Sequence, residues 1–253
     1  MRQIRREAYG EDIGQHSWVS ADEVRADVAR LQLSPTSSLI DLGCGPAGPL
    51  TFILSLVRCR GTGVEVSEAA LRVARIRAKS LGVDVLLSLA QADLNDPLPF
   101  PAETFDAAIS VDVVLHLGDR AKFLKEVARV LRPGGRFLFI DAGVLTGAMT
   151  NEEARRRSVH GATHFVPPGE NETLLASHGL RLLETENRTA ASVTNASGRL
   201  AALQAHRAEL EPQLGTGLAR QIEYLESVAE LARREALSRI MYLAEKPASD
   251  VTT

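Results

Sequence analysis

The chain has few cysteines, no excess of basic charge and no long apolar run, and each shortage removes a class of function. Cys44 and Cys59 are the only cysteines in 253 residues. That is too few for a disulfide framework and is in keeping with a reducing compartment. Lysine and arginine number 29 against 32 aspartates and glutamates, a net charge of −3. A nucleic-acid binder needs a basic stripe to neutralise phosphates, and none is present. The short run Arg155-Arg156-Arg157 reads as a solvated helix face, with contact to an anionic substrate as the lesser alternative. No apolar run approaches the length that crosses a bilayer. Residues 1–14 are charged and lack the apolar core of a signal peptide. A cytoplasmic protein without membrane or nucleic-acid partners is therefore expected.

What is present is ordinary for a globular chain, 45% hydrophobic and 24% charged, and suits one large domain or one domain with a smaller cap. Its organising stretch is Leu39-Ile40-Asp41-Leu42-Gly43-Cys44-Gly45-Pro46-Ala47-Gly48. An apolar strand runs into glycines at G-x-G-x-x-G spacing, and an apolar run containing Leu50, Phe52, Ile53 and Leu54 follows. This predicts a strand, a tight turn and a helix whose N-terminus faces a ligand, because glycine has no Cβ to keep a ligand from the backbone.

Other elements fall in order around it. Ser20-Ala21-Asp22-Glu23 is a capping box, with Val19 and Val24 placed as its hydrophobic staple, and it opens a short helix that ends before Ser34-Pro35. Strands are predicted at 61–66, 85–90, 105–111, 136–141, 181–189 and 238–246. Helices are predicted after Ser67, over 119–131, which Pro133-Gly134-Gly135 stops, and over 170–177. Two more, broken at Pro212 and Gly215-Thr216-Gly217, come before the last strand. Short apolar strands alternating with amphipathic helices give a parallel sheet covered on both faces, the doubly wound α/β class.

Two kinds of enzyme place a strand, glycine turn and helix at the switch point of such a sheet. Glu65, 22 residues beyond Gly43, suits a ribose diol in either. Asp41 discriminates between them. A carboxylate at the mouth of the turn repels a pyrophosphate but suits an ammonium or a sulfonium. That favours S-adenosylmethionine over a nicotinamide dinucleotide, whose oxidoreductases remain the rival, beside a non-catalytic scaffold of the same fold.

From about Leu39 to Asp141 the chain resembles the class I S-adenosylmethionine-dependent methyltransferases. The resemblance is carried by Leu39–Gly45, Glu65, Gln91-Ala92-Asp93-Leu94, Leu98-Pro99-Phe100 with Phe105–Ser110, and Leu131-Arg132-Pro133-Gly134-Gly135-Arg136. It implies a Rossmann-like, seven-stranded, mostly parallel sheet with the last strand antiparallel. It also implies that Gly43, Cys44 and Gly45 line the methionine part of S-adenosyl-L-methionine, with Asp41 beside its amino group. Glu65 would take the ribose hydroxyls, Asp93 the adenine amino group, and Val66 and Leu94 the ring. Val111 and Asp112 would border the methyl group.

Methyl transfer from a sulfonium is an in-line displacement, so a base is needed only where the acceptor must lose a proton. His116, in the loop after the fourth strand, is the candidate base; its structural reading is a ring that fixes that loop. His160 and His164 have the i, i+4 spacing of metal ligands, but Gly161 weakens the helix and no third ligand is near. No metal is expected, and the pair is placed with the acceptor pocket. Tyr9, Gln15, His16 and Trp18 form a candidate lid, with Trp18 alternatively a staple under the Ser20 helix. The expected organisation is a lid segment and helix over 1–35 and a methyltransferase domain over 36–253. Cap insertions fall at about 143–169 and 192–236. The second insertion serves either as a cap over a small-molecule acceptor or as a homodimer interface.

Overall fold

The computed structural model describes residues 2–158 and 161–248. Seven strands form one sheet in the order β3-β2-β1-β4-β5-β7-β6. They are β1 Ser38–Leu42, β2 Arg60–Glu65, β3 Leu87–Gln91, β4 Phe105–Val111, β5 Leu131–Leu145, β6 Arg181–Asn187 and β7 Leu237–Glu245. The pairs β1–β2, β2–β3, β1–β4 and β4–β5 are parallel, and β7 runs antiparallel to both of its neighbours. The chain winds outward from β1 through β2 to β3 and then returns to β4 on the other side of β1. The crevice between the β1 and β4 ends is therefore the switch point of the sheet.

Strand periodicity decides what each face buries. Leu39 belongs with the core on one face and Ile40 and Leu42 with the core on the other. Leu138 and Ile140 of β5 join the first core, and Phe137 and Phe139 the second. Helices α2 Ala21–Leu31, α3 Gly48–Val57 and α4 Glu68–Ser80 cover the first face, and α5 Arg120–Val130 and α7 Glu170–Ser177 the second. Both halves of the Ser20/Glu23 capping box are made, and Val19 and Val24 are both buried in the first core.

The third core lies beyond the sheet. It joins Ile4 of α1 Arg2–Tyr9 to Trp18, α8 Thr189–Ala205 and α10 Thr216–Arg233. The apolar stripe of α10, with Leu218, Leu225, Val228 and Ala229, is buried within the chain here. Helix α1 has no counterpart in the sequence reading. Eight residues rich in arginine are too short to hold a helix alone, and α1 exists because it lies on α8. A Cβ on Gly198 would stand 3.0 Å from the Ala8 carbonyl oxygen, so glycine there permits the close approach.

Two further departures concern proline and strand length. Pro212 sits inside α9 Arg207–Leu214, and the chain breaks at His206 and Gly215 instead. That short helix is largely exposed, so water can serve the carbonyl that proline leaves without a donor. Strand β5 extends beyond 136–141 at both ends: Leu131 pairs with Phe105 of β4, and β7 pairs along it to Leu145 across an irregularity at Asp141/Val144.

Residues 13–15 lie directly against the start of α3. A Cβ on Gly48 would meet the Gly14 carbonyl carbon and oxygen at 2.5 Å and the Gln15 nitrogen at 2.8 Å. Alanine normally stabilises a helix over glycine by about 1 kcal/mol. Here the obstacle is backbone, and overpacking that costs about 1–3 kcal/mol outweighs the gain. Gly48→Ala should leave the helical circular dichroism unchanged and make residues 2–18 more susceptible to limited proteolysis. Unchanged protease resistance would show that this contact does not seat the segment.

Candidate functional site

Strand β1 delivers Asp41 to the crevice, and its partners dictate what that carboxyl does. The side chain is 3% exposed and has no hydrogen-bond partner among the described residues. Burial pushes its carboxyl up to about 8, and the nearby Glu65 charge adds to the effect. A buried carboxyl with nothing to neutralise it is costly. It is the first indication that something cationic belongs beside it.

The glycine turn follows. The N–H groups of Gly43 and Cys44 both donate to the Val64 carbonyl, at 2.9 and 3.0 Å. Gly43 takes φ +82°, and a Cβ there would strike the Val113 side chain at 2.6 Å. Gly45 takes φ +53° with open space where a Cβ would stand, so this backbone can be approached. Glu65 closes the turn from the end of β2: the Gly45 N–H donates to Oε2 at 3.0 Å and the Ser67 N–H to Oε1 at 2.9 Å. The Cys44 thiol is buried, and burial with the charges of Asp41 and Glu65 pushes it far up. It is therefore a small filler that packs toward Gly63.

A cavity of about 380 Å³ opens over this turn. Asp41, Gly43, Cys44, Gly45, Val111, Asp112, His116 and Trp18 line it, as do His16, Gly14 and Ser17 of the N-terminal segment. Its far wall is Arg157 of α6 Asn151–Arg157, Arg199 of α8, and Gln221 and Tyr224 of α10. Trp18 is not packed beneath the Ser20 helix. It lies in the third core, tilted against the Tyr224 ring at 6.1 Å.

Trp18 is clamped from both sides. Its N–H donates to Asp112 Oδ2 at 2.9 Å, and its carbonyl accepts from Asn195 Nδ2 at 2.7 Å. Asp112 adopts φ +57° at the end of β4 and is held in turn by Arg239 Nε at 3.0 Å. Arg239 Nη1 donates to Glu23 Oε1 at 2.9 Å. One buried guanidinium thus joins β7, the capping box of α2 and the end of β4.

His116 sits in the turn after β4, at the cavity, and its Nδ1 lies 3.0 Å from the Ala162 carbonyl oxygen. A carbonyl only accepts, so this contact assigns the proton to Nδ1 and leaves the Nε2 lone pair free.

Other sequence-predicted residues lie away from the cavity wall. The Asp93 carboxylate accepts from the backbone N–H and Nδ2 of Asn95, and these bonds hold it below the usual carboxylate range. Leu94 is buried in the second core, and Val66 is 60% exposed. Gln15 is buried, accepting from the Ile13 N–H and donating to the Glu11 carbonyl. The Tyr9 hydroxyl donates to the Ser17 carbonyl at 3.0 Å. His164 contributes main chain: its N–H donates to Leu115 and its carbonyl accepts from Arg120 Nη2 at 2.7 Å. Arg120 is fixed by buried Asp141 and Asn171, which anchor this excursion to β5. His160 lies outside the described residues. Among those described, no cluster of three histidine, cysteine, aspartate or glutamate residues suits a metal, and no helix is long and apolar enough to cross a membrane.

The run Arg155-Arg156-Arg157 corrects a reading. Arg157 is not on a solvated face but is 4% exposed, donating from Nη1 to the Tyr224 hydroxyl at 2.9 Å. Arg199, Gln221 and Tyr224 carried no local sequence signal, since only the packing of α8 and α10 turns them inward.

A switch-point cavity over a glycine turn, on a sheet of this order, defines a Rossmann-like nucleotide-type site. Residues 40–139 match the family model described as "Methyltransferase domain". Over that stretch the chain is similar to methyltransferase domains. It is 35% identical over 112 residues to the methyltransferase GfsG of Streptomyces halstedii, a match covering 44% of this chain and 40% of that one. It is also 35% identical over 126 residues to a sarcosine/dimethylglycine N-methyltransferase of Halorhodospira halochloris, covering 48% and 45%. The matched region thus spans less than half the length of these relatives. Among solved structures, a putative sarcosine dimethylglycine methyltransferase from Galdieria sulphuraria superposes with TM-score 0.80 at 20% identity, over 89% of this chain and 84% of that one. The [4+2]-cyclase SpnF superposes with TM-score 0.78 at 22% identity, over 96% and 87%. Both likenesses show the fold.

Proposed function

We propose that this protein transfers the methyl group of S-adenosylmethionine to an oxygen, nitrogen or carbon atom of a small molecule by in-line displacement. The carrying observation is Asp41, a buried carboxyl without a hydrogen-bond partner among the described residues, beside a glycine turn that leaves room for a ligand. The residues fit the group. Asp41 receives the α-ammonium, while Gly43, Cys44 and Gly45 supply the backbone wall along the methionine part. Glu65 takes the ribose hydroxyls. Each of its oxygens now accepts one backbone N–H, and a carboxylate has about four acceptor positions. Asp93 has spare capacity of the same kind for the adenine amino group, with Val66 and the Leu94 segment beside the ring.

When bound, the cofactor supplies a methyl group on a positively charged sulfur that departs neutral. The chain's own contribution is alignment and exclusion of water. Orienting the two reactants accounts for about 7–11 kcal/mol in favourable cases. Val111 and Asp112 border the transfer point from the end of β4, and Trp18, clamped by Asp112 and Asn195, closes the cavity from the N-terminal side. His116 presents a free Nε2 to an acceptor that must lose a proton. The elements over 1–35, 143–169 and 192–236 act as lid and cap for the acceptor. A homodimer through the α10 stripe has no support, because that stripe is buried against α8 and Trp18.

Calorimetry with S-adenosylhomocysteine tests this reading directly. Micromolar binding is expected, with no heat from NAD, and Glu65→Ala should weaken it at least tenfold in a folded protein. Absence of binding at high micromolar ligand would sink the proposal.

A further inference from the structure

The described residues include five buried arginines, Arg5, Arg120, Arg157, Arg188 and Arg239. Four have a carboxylate within ion-pair distance: Asp12 for Arg5, Asp141 for Arg120, Asp27 for Arg188, and Asp112 with Glu23 for Arg239. Arg157 has none among the described residues. Its guanidinium instead stands 5.3 Å over the Tyr224 ring and donates to the Tyr224 hydroxyl. A buried guanidinium without a counter-charge is expensive to maintain, and a stacked phenol offsets only part of that cost.

A second cation adjoins it on the same cavity wall. Arg199 stands 5.2 Å over the ring of Trp18, and it too has no carboxylate within ion-pair distance among the described residues. Trp18 and Tyr224 touch each other, so two guanidiniums lie over neighbouring aromatic rings. Each guanidinium carries five N–H donors, of which Arg157 spends one on the Tyr224 hydroxyl, so donors remain for a planar or tetrahedral anion. The carboxylates on the cavity wall do not neutralise them, since Asp41 lies at the glycine turn and Asp112 is taken by Arg239. Behind Trp18 and Arg157, a cavity of about 20 Å³ is also lined by Ser192 and Arg239. Ser192 Oγ and Arg239 Nη2 are buried there without a hydrogen-bond partner among the described residues. Arg239 Nη2 can only donate, whereas Ser192 Oγ can donate or accept.

We infer that the methyl acceptor carries an anionic group, a carboxylate or a phosphate, and that Arg157 and Arg199 hold it. This rests on the methyl-transfer reading. The site is polarised: a lone carboxyl receives a cation at the glycine turn, and two cations receive an anion at the helical wall. The reacting atom of the acceptor then lies between them. The same chemistry could come from the cofactor's own α-carboxylate, and the experiment separates the two sources.

Trp18 is the sole tryptophan and reports on this wall. Protein saturated with S-adenosylhomocysteine is titrated with inorganic phosphate, benzoate and neutral benzamide at constant ionic strength, following Trp18 fluorescence. A saturable response to phosphate or benzoate and none to benzamide is expected. Arg157→Gln should weaken that response at least tenfold, and Arg157→Lys by less, while S-adenosylhomocysteine affinity changes less than threefold in both. If Arg157→Gln instead weakens S-adenosylhomocysteine tenfold and the saturated protein ignores both anions, the cofactor's carboxylate is the occupant and the proposal falls. Equal responses to benzoate and benzamide would also overturn it. If S-adenosylhomocysteine itself does not bind the wild-type protein, the methyl-transfer reading fails and takes the acceptor assignment with it.

Discussion

Asp41→Asn should weaken S-adenosylhomocysteine binding by roughly 10- to 100-fold, the worth of a charge-assisted hydrogen bond of about 1.5–3 kcal/mol. The same change should raise thermal stability, and the pH dependence ties the two effects together. Burial, and then the Glu65 charge, push the Asp41 carboxyl up to about 8 in the ligand-free protein. Below that pH the group is protonated, whereas an ammonium partner requires it ionised. Binding at pH 7 therefore releases a proton, and affinity climbs by up to tenfold per pH unit until about pH 8. Calorimetry in two buffers of different ionisation heat counts that proton, and the Asp41→Asn variant should release none.

The stability effect has the opposite sign. The folded-state value lies above the ordinary 3.8, so the unfolded chain gives up this proton first as pH rises. Stability from this group is full below about pH 4, declines through the window from 4 to 8 and is lost above it. The melting temperature of Asp41→Asn should exceed wild type by a margin that grows across that window and then levels. An S-adenosylhomocysteine affinity that is flat from pH 6 to 8 would refute the assignment of Asp41 to the ammonium.

Arg239→Met is the second large expected effect. The side chain is 2% exposed and donates to both Asp112 and Glu23. Methionine fills much of the volume but leaves Asp112 without a cation and Glu23 with only Arg188, 3.9 Å away, and breaking a buried pair this way costs about 3–5 kcal/mol. For a chain of this size that corresponds to a drop in melting temperature of roughly 6–20 °C. Asp112 also accepts the Trp18 N–H, so the N-terminal segment should loosen and Trp18 emission shift. Adding Asp112→Asn should recover part of the loss, because one orphaned charge is removed. A drop of under 2 °C would mean that Arg239 does not anchor these three elements.

The residues of the site differ in how far local sequence reveals them. The glycine turn is legible because G-x-G-x-x-G after an apolar strand constrains backbone within ten residues. The Ser20/Glu23 capping box is legible for the same reason, since both of its hydrogen bonds close within four residues. Arg157 is not legible. In a run of three arginines on a short helix, only the packing of α6 against α10 selects which one turns inward. Arg199 and Tyr224 are hidden likewise. Leu94 differs again: its motif is local, but its burial in the second core is set by packing.

The sequence alone determined the alternation of strands and helices, the place of the glycine turn and the acidic residues that suit a sulfonium cofactor. These depend on side-chain period and turn chemistry, which act over a few residues. Only the tertiary structure decided which of the five buried arginines lacks a counter-ion among the described residues. It also decided that Asp41 is buried without a hydrogen-bond partner among those residues and that Trp18 faces the cavity rather than the helix after it. Burial and charge pairing join residues far apart in the chain, as Arg239 joins Glu23 and Asp112, and no local pattern records them.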